Sequence, residues 1–231
     1  MTFVFLHVGA DASIPTLLVR SIRLHLPDAE IVQCTDEATS PIEGVSRVHR
    51  TTGNTGHLMT FRLAAFASLG LDDAAAYIDT DMLMVRPFDP ADVLGDRDVA
   101  VCERSYGKDM PFRESIGDVD LSEYRDRTYG DIYPYLACFT AVRGHAFWRD
   151  CHAALLDLPE KFHRWFGDQE AIRNVVARGA YRVKNVPESV YGCLPDQLDP
   201  AQGAPCLIHF KGPERKRLLM KWADRLNLGS V

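Results

Sequence analysis

Short apolar runs that end in polar or glycine residues punctuate this chain, with helix-period segments between them. TFVFLHV (2–8) runs into Gly9, Ala10 and Asp11; AEIVQCTD (29–36) ends in polar residues; AAAYI (74–78) ends in Asp79; DVAVC (98–102) ends in Glu103. Apolar runs of this length read as strands buried on both faces, as in a parallel sheet covered by helices. Between them, Leu17, Leu18, Ile22 and Leu24 share one side of a helix before Pro27, and residues 55–69 carry apolar positions at helical spacing up to Gly70. Residues 145–157 and 167–179 read as further helices, and 44–50, 181–187 and the start of 205–212 as strands. DIYPYLACFTAVR (131–143) is strand-like in its middle but alternates poorly, and 104–130 is a polar excursion without a clear period. The pattern predicts an α/β fold, with a single Rossmann-like, mostly parallel sheet flanked by helices. At 231 residues, with no low-complexity linker, the expectation is one domain over 1–231.

The formal net charge of −6 disfavours a broad nucleic-acid-binding surface. The apolar start lacks a basic leader and no stretch reaches spanning length, so neither a signal peptide nor a membrane span is expected. Cys34, Cys102, Cys138, Cys151, Cys193 and Cys206 are scattered without a CxxC pair. They read as buried small hydrophobes of a reducing compartment, with the cytoplasm as the expected location.

The chemistry concentrates in AAAYIDTDMLMV (74–85). In an extended segment, positions i and i+2 point to one side, so Asp79 and Asp81 can approach one ion. Hard divalent cations prefer such oxygen ligands and can neutralise a leaving diphosphate. A solvated turn is the plain alternative. An aspartyl nucleophile of the haloacid-dehalogenase type is a third reading. It is disfavoured because the pair lies far from the first strand and Leu83 stands where Thr or Val is expected.

FRLAAFASLGLDDAAAYIDTDMLMVRPFD (61–89) resembles the central signature of family 8 glycosyltransferases, the glycogenin-like and lipopolysaccharide galactosyltransferase-like enzymes. GDQEAIRNVV (167–176) resembles that family's DQ…N segment, and IHFKGPERK (208–216) its HxxGxxK motif. The resemblance extends loosely over nearly the whole chain, and it implies a GT-A fold. It also implies retaining transfer of a hexose from a nucleotide-diphosphate sugar, with UDP the expected nucleotide, to a glycan or lipid-linked acceptor hydroxyl. Asp79, Asp81 and His209 match the family's Mn²⁺ ligands, with Mg²⁺ the second candidate metal. Arg62 matches an arginine at the donor, and Gly9, Ala10 and Asp11 fall where the base and ribose are gripped. Thr80, Glu103 and Gly212 join the donor-side set. The family lysine aligns with Arg215 by spacing, with Lys216 adjacent. By the resemblance Gln169 lies near the β-face of the donor's anomeric carbon and Asp168 helps bind donor sugar or acceptor; Asp168 alone would read as a helix N-cap. An amide is a poor nucleophile, so Gln169 implies electrostatic or positional help within a front-side reaction.

The family commonly has Asn-Ser/Ala-Gly where this chain has Leu136, Ala137 and Cys138, which removes a polar contact and implies a bulkier wall. The usual tryptophan after the HxxGxxK motif is absent, Trp222 coming later. The acceptor is expected at 104–135, which carries Arg104, Tyr106, Lys108, Arg113, Tyr124, Arg125 and Tyr129. The basic segment 211–231, with Leu218, Leu219, Met220, Trp222 and Leu226, reads either as a peripheral membrane contact or as a terminal helix packed on the domain. Outside the transferase class, the alternative is a catalytically silent nucleotide-sugar- or glycan-binding module on the same scaffold. A nucleotidyltransferase would want a Gly-rich phosphate loop near the N-terminus, which the sequence does not offer.

Overall fold

The computed structural model describes residues 1–116, 119–199, 201 and 203–229. The first half runs β1 (Thr2–Leu6), α1 (Ser13–His25), β2 (Glu30–Thr35), β3 (Arg47–Arg50), α2 (Leu58–Ser68), β4 (Ala74–Ile78), β5 (Met82–Met84), α3 (Pro90–Leu94) and β6 (Val99–Glu103). A small insertion follows: β7 (Ser115–Ile116), β8 (Val119–Asp120), a 3-10 turn (Ser122–Tyr124) and α4 (Tyr129–Ile132). The chain continues with β9 (Tyr135–Arg143), α5 (Ala146–Leu156), α6 (Lys161–Arg164), α7 (Gly167–Ala177), β10 (Val183–Pro187), α8 (Glu188–Tyr191), β11 (Leu207–His209) and α9 (Pro213–Arg225).

Seven strands form one sheet in the order β10-β6-β9-β4-β1-β2-β3. The pairs β1–β2, β1–β4, β2–β3 and β6–β10 are parallel, and only β9 runs against its neighbours β4 and β6. Alternate residues of each strand feed two cores. Phe3, Phe5, Ile31 and Ala76 meet Leu18 and Ile22 of α1 and Val93 and Leu94 of α3 on one face. On the other, Val4, Val32, Ala75 and Tyr77 meet α2, α5 and α7 through Phe66, Trp148 and Ile172. This is the expected three-layer sandwich, and the two-sided burial explains why the strands read as continuous apolar runs.

Two features go beyond the sequence reading. The apolar run after the aspartates does not extend the main sheet: β5 pairs antiparallel with β11 in a separate ribbon. The poor alternation in 131–143 has a physical cause. The β6–β9 register slips between Val101, opposite Thr140, and Cys102, opposite Leu136, so β9 bulges at 137–139.

The excursion at 104–130 is ordered around its own small core. Phe112, Val119, Leu121, Ile132 and Tyr133 are buried together, with Tyr124, Tyr129 and Phe166 packed on them. Positions 117 and 118 of that excursion lie outside the described residues, as do 230 and 231 of the basic segment. Helix α9 covers a third cluster: Leu219 and Ala223 are buried with Leu17, Leu83, Ile208 and Phe210. Trp222 is partly buried there beside Phe210. Much of the apolar side of α9 is therefore occupied by the domain, and its outward face is mostly charged, with Lys216, Arg217, Lys221 and Arg225 exposed beside Met220. Among the described residues, no helix is long and apolar enough to cross a membrane. All six cysteines are buried and free.

Candidate active site

The site forms at the C-terminal end of β4, beside the one antiparallel neighbour. After Ile78 the chain leaves the sheet through Asp79, Thr80 and Asp81, a turn rather than a continuing strand. The two carboxylates thus converge across a turn, and not by strand alternation as the sequence suggested. Three backbone bonds fix it. Asp79 N–H donates to the Cys138 carbonyl at 3.1 Å, Phe210 N–H donates to the Asp81 carbonyl at 2.8 Å, and His209 N–H donates to the Cys193 carbonyl at 2.8 Å. In the β5–β11 ribbon His209 lies opposite Met82, which brings its imidazole to the aspartates.

Ligand atoms of Asp79, Asp81 and His209 all lie within 4.8 Å of one another. His209 Nε2 is 3.3 Å from Asp81 Oδ1 and 3.9 Å from Asp79 Oδ2. Two carboxylates and one imidazole on two rigid connections are a donor set suited to a divalent cation with open coordination positions. Burial opposes charge on His209, yet the Cys138 sulfur and the Asp81 carboxylate hold it up at about 10. Burial alone would raise Asp81; hydrogen bonding and charge from His209, then Lys216, bring it down to about 2.

Lys216 Nζ approaches Asp81 Oδ2 at 3.4 Å. Arg215 instead makes a two-pronged pair with Asp196, Nε to Oδ1 at 2.6 Å and Nη2 to Oδ2 at 2.9 Å, and lies over the Tyr106 ring. Of the two adjacent cations, the first turn of α9 presents Lys216 to the cluster, while Arg215 is held by Asp196. Gly212, which caps that helix, has φ +83°, a conformation that favours glycine, with open space where a Cβ would stand.

Arg62, on α2, is not the surface arginine its letters allow. Its side chain is only 11% exposed and bridges Asp79 Oδ1 at 2.7 Å and Asp168 Oδ2 at 3.0 Å. Its Nη2 also donates to the Ala137 carbonyl at 2.9 Å, at the β9 bulge. Leu136 and Cys138 are buried in the core on the α1 side, and Ala137 packs on the opposite side.

Asp168 is not a helix cap. The N-cap of α7 is Phe166, and Asp168 lies inside the helix, its side chain 7% exposed against Arg62. Burial pushes its carboxyl up, and Arg62 counters that shift. Gln169 follows, half-buried. Phe166 is left-handed at φ +60°, strained for a bulky residue, and its ring stacks on Tyr133 of the excursion at 5.1 Å. Gly167 is required by contact: a Cβ there would stand 2.0 Å from the Phe162 carbonyl and 2.6 Å from Leu155 Cδ1. Gly167→Ala must push α6 off α7 and move the next two residues. The expected loss is about 3 kcal/mol, at the upper end for overpacking, read as a lowered urea midpoint with unchanged slope.

Gly9 has φ +119° and donates its N–H to Thr39 Oγ1 at 2.9 Å; Ala10 is exposed. Asp11 Oδ1 accepts from Ser13 N–H at 3.0 Å and Ser13 Oγ at 2.6 Å, a turn that leads into α1. Thr80 lies within the Asp79–Asp81 turn. Glu103 is exposed at the end of β6, opposite Tyr135 and Pro187, and makes no hydrogen bond or ion pair with the cluster among the described residues. Of the acceptor-side residues, Arg125 pairs with Glu114, Arg113 donates to Tyr129 Oη, and Tyr106 is exposed. Two adjoining clefts of about 370 and 240 Å³ share Ser189, Cys193 and Gln197; the smaller is also lined by Ser105, Tyr106 and Glu188. The sequence did not single out Glu188, and an acid directly after the strand-like run 181–187 is the signal it offered.

No protein-family model matches the sequence, and no curated protein matches it by sequence. Solved structures do resemble it. The galactosyltransferase LgtC, in complex with donor and acceptor sugar analogs, aligns with a TM-score of 0.59 at 15% identity, over 98% of this chain and 94% of that one. The bifunctional glycosyltransferase WbbM aligns at 0.58 and 14%, over 98% of this chain and 51% of its own. The glycosyltransferase GlyE of Streptococcus pneumoniae TIGR4 aligns at 0.59 and 16%, over 98% and 62%. The chain thus spans about half of WbbM and less than two thirds of GlyE, but nearly all of LgtC. At these identities the likeness is one of fold: a GT-A, Rossmann-like α/β domain with a candidate metal-holding triad at its centre.

Proposed function

We propose that the protein is a metal-dependent, retaining hexosyltransferase that uses a nucleotide-diphosphate sugar, with UDP as the favoured nucleotide. The observation that carries this reading is the convergence of Asp79, Asp81 and His209, with Lys216 at their side, on a GT-A fold. Mn²⁺, or Mg²⁺, bound by the triad supplies charge neutralisation for the departing diphosphate. Lys216 adds a cation to the same oxygens, and Gly212 leaves the backbone open beside them. Arg62 holds Asp79 and Asp168 in fixed orientation, so the reacting sugar meets a preorganised wall. Gln169 lies near the anomeric carbon of the donor sugar, and Asp168 helps bind donor sugar or acceptor. The acceptor hydroxyl attacks on the face the diphosphate leaves and passes its proton to a departing phosphate oxygen, so no separate protein base is needed. Gly9, Ala10 and Asp11 border the base and ribose, with Thr80 and Glu103 on the donor side.

The acceptor, a glycan or lipid-linked glycan, approaches past the excursion and the cleft at Tyr106 and Ser189. With most of the apolar side of α9 covered, contact with an anionic membrane rests mainly on its basic side chains, with Met220 exposed among them. A catalytically silent nucleotide-sugar or glycan binder on the same scaffold is the second reading, favoured by Leu136 and Cys138, which replace a polar residue and a glycine.

A thermal-shift screen of nucleotide-sugars with and without Mn²⁺ tests the proposal. One donor should raise the transition only with metal present, by several degrees at saturating concentration. The same donor should then release nucleoside diphosphate on turnover. Stabilisation without turnover over a broad acceptor panel supports the silent binder, and no stabilisation by any nucleotide-sugar ends the transferase reading and leaves only a glycan binder.

A further inference from the structure

Gln169 is gripped from outside its own helix. Arg104, the first residue after β6, donates from Nη2 to Gln169 Oε1 at 3.0 Å and from Nε to the Tyr133 carbonyl at 2.8 Å. Its guanidinium lies over the Tyr129 ring, 5.4 Å from the centroid. The backbone that carries it is fastened as well. Arg104 N–H donates to the Pro134 carbonyl at 2.7 Å. Ser105 N–H and Tyr106 N–H both donate to Glu188 Oε2, at 2.8 and 2.7 Å, and Glu188 is only 6% exposed. A guanidinium held on this many sides is a rigid donor.

The chemistry of that contact decides the orientation of the amide. Guanidinium has donors and no acceptor, so only the carboxamide oxygen can face it. The NH₂ of Gln169 must then point away from Arg104. We infer that Arg104 is a positioning residue: it locks the Gln169 carboxamide so that the group offered to the reacting sugar is a hydrogen-bond donor. The substrate atom that Gln169 touches is accordingly an oxygen, of a sugar hydroxyl or of the diphosphate. Because Tyr129 and Tyr133 belong to the excursion, the same arginine ties the acceptor side to the donor side. This inference rests on the glycosyltransferase reading for its kinetic consequences, but not for the amide orientation.

The test pairs a spectroscopic and a kinetic readout on the full chain. The Gln169 side-chain NH₂ signals in a ¹H–¹⁵N spectrum are assigned by their loss in Gln169→Leu. They should stand apart from free carboxamides in the parent protein and move to free-carboxamide positions in Arg104→Leu. Arg104→Lys keeps charge and stem but loses the fork, and should give the same displacement if the leucine variant does not fold. With an active donor, either Arg104 variant should lower kcat by about 10- to 100-fold, as expected for a misplaced reacting group, while donor KM changes less than about twofold. In the Gln169→Leu background, Arg104→Lys should cost little more, because both act through one contact. Additive losses, or a loss confined to donor KM, overturn the inference. An undisplaced Gln169 signal overturns it even if no donor is ever found, which separates its failure from that of the proposed activity.

Discussion

Asp81→Asn should remove metal-dependent turnover while leaving the fold in place. The substitution keeps the size and one oxygen of the side chain but removes its charge. Asp81 is where His209 Nε2, at 3.3 Å, and Lys216 Nζ, at 3.4 Å, both converge, so its carboxylate anchors the centre. A cation bound there loses one of two anionic ligands. The charge neutralisation a metal supplies to a leaving diphosphate is worth several kcal/mol, so a loss of about 10³-fold in turnover is expected, at about 1.4 kcal/mol per tenfold. The fold should survive. The Asp81 backbone carbonyl still accepts from Phe210 N–H, and His209 can shed its proton once the carboxylate is gone. Released nucleoside diphosphate measures the rate, calorimetric Mn²⁺ titration the affinity, and circular dichroism the fold. Unchanged metal affinity in a folded variant would falsify the assignment of Asp81 as a ligand.

Arg62→Leu should be the most destabilising polar substitution near the site. Its guanidinium sits between Asp79 and Asp168, bonds the Ala137 carbonyl and lies over the Phe66 ring at 5.5 Å. Leucine fills much of that volume but strands a carboxylate that is almost wholly buried. Removing one partner of a buried ion pair costs about 3–5 kcal/mol, and that loss is expected at pH 7. The sign of its pH dependence follows from Asp168. Burial already raises its carboxyl, and Arg62 is the main influence opposing that. Without the arginine the folded state takes up a proton at a pH where the unfolded chain, near 3.9, does not. The variant should therefore regain part of the deficit as pH falls from 7 towards 5. Urea denaturation at both pH values checks this. A loss below about 1 kcal/mol at pH 7 would mean that the bridge is weak, at the level of an exposed ion pair.

How much of this was legible in the letters differs from piece to piece. Strands β1, β2, β4 and β6 were readable because each is a short apolar run buried on both faces. Helices α2 and α7 were readable from their period. Asp79, Asp81 and His209 were singled out together because three short motifs fell in the order of a known family, although no single motif justified it. The geometry offered for the pair was wrong in kind, since the aspartates span a turn between two sheets. The excursion gave no period because its order comes from an aromatic cluster rather than a repeating element.

What the sequence by itself determined is local: where strands and helices run, that polar groups gather at strand ends, and which residue types could share a metal. Hydrophobic periodicity and composition act over a few residues, so one chain suffices to read them. The tertiary structure alone decided the partners. It set Lys216 against Asp81 and Arg215 against Asp196, because the direction in which α9 leaves β11 fixes where each side chain of its first turn points. It made Arg62 a bridge, because α2 and α7 lie on the same face of the sheet and the β9 bulge presents Ala137 between them. It set Arg104 against Gln169, 65 positions apart in sequence. Each of these contacts depends on strand register and helix packing across the whole sheet, where a slip of one residue sends a side chain to the opposite face.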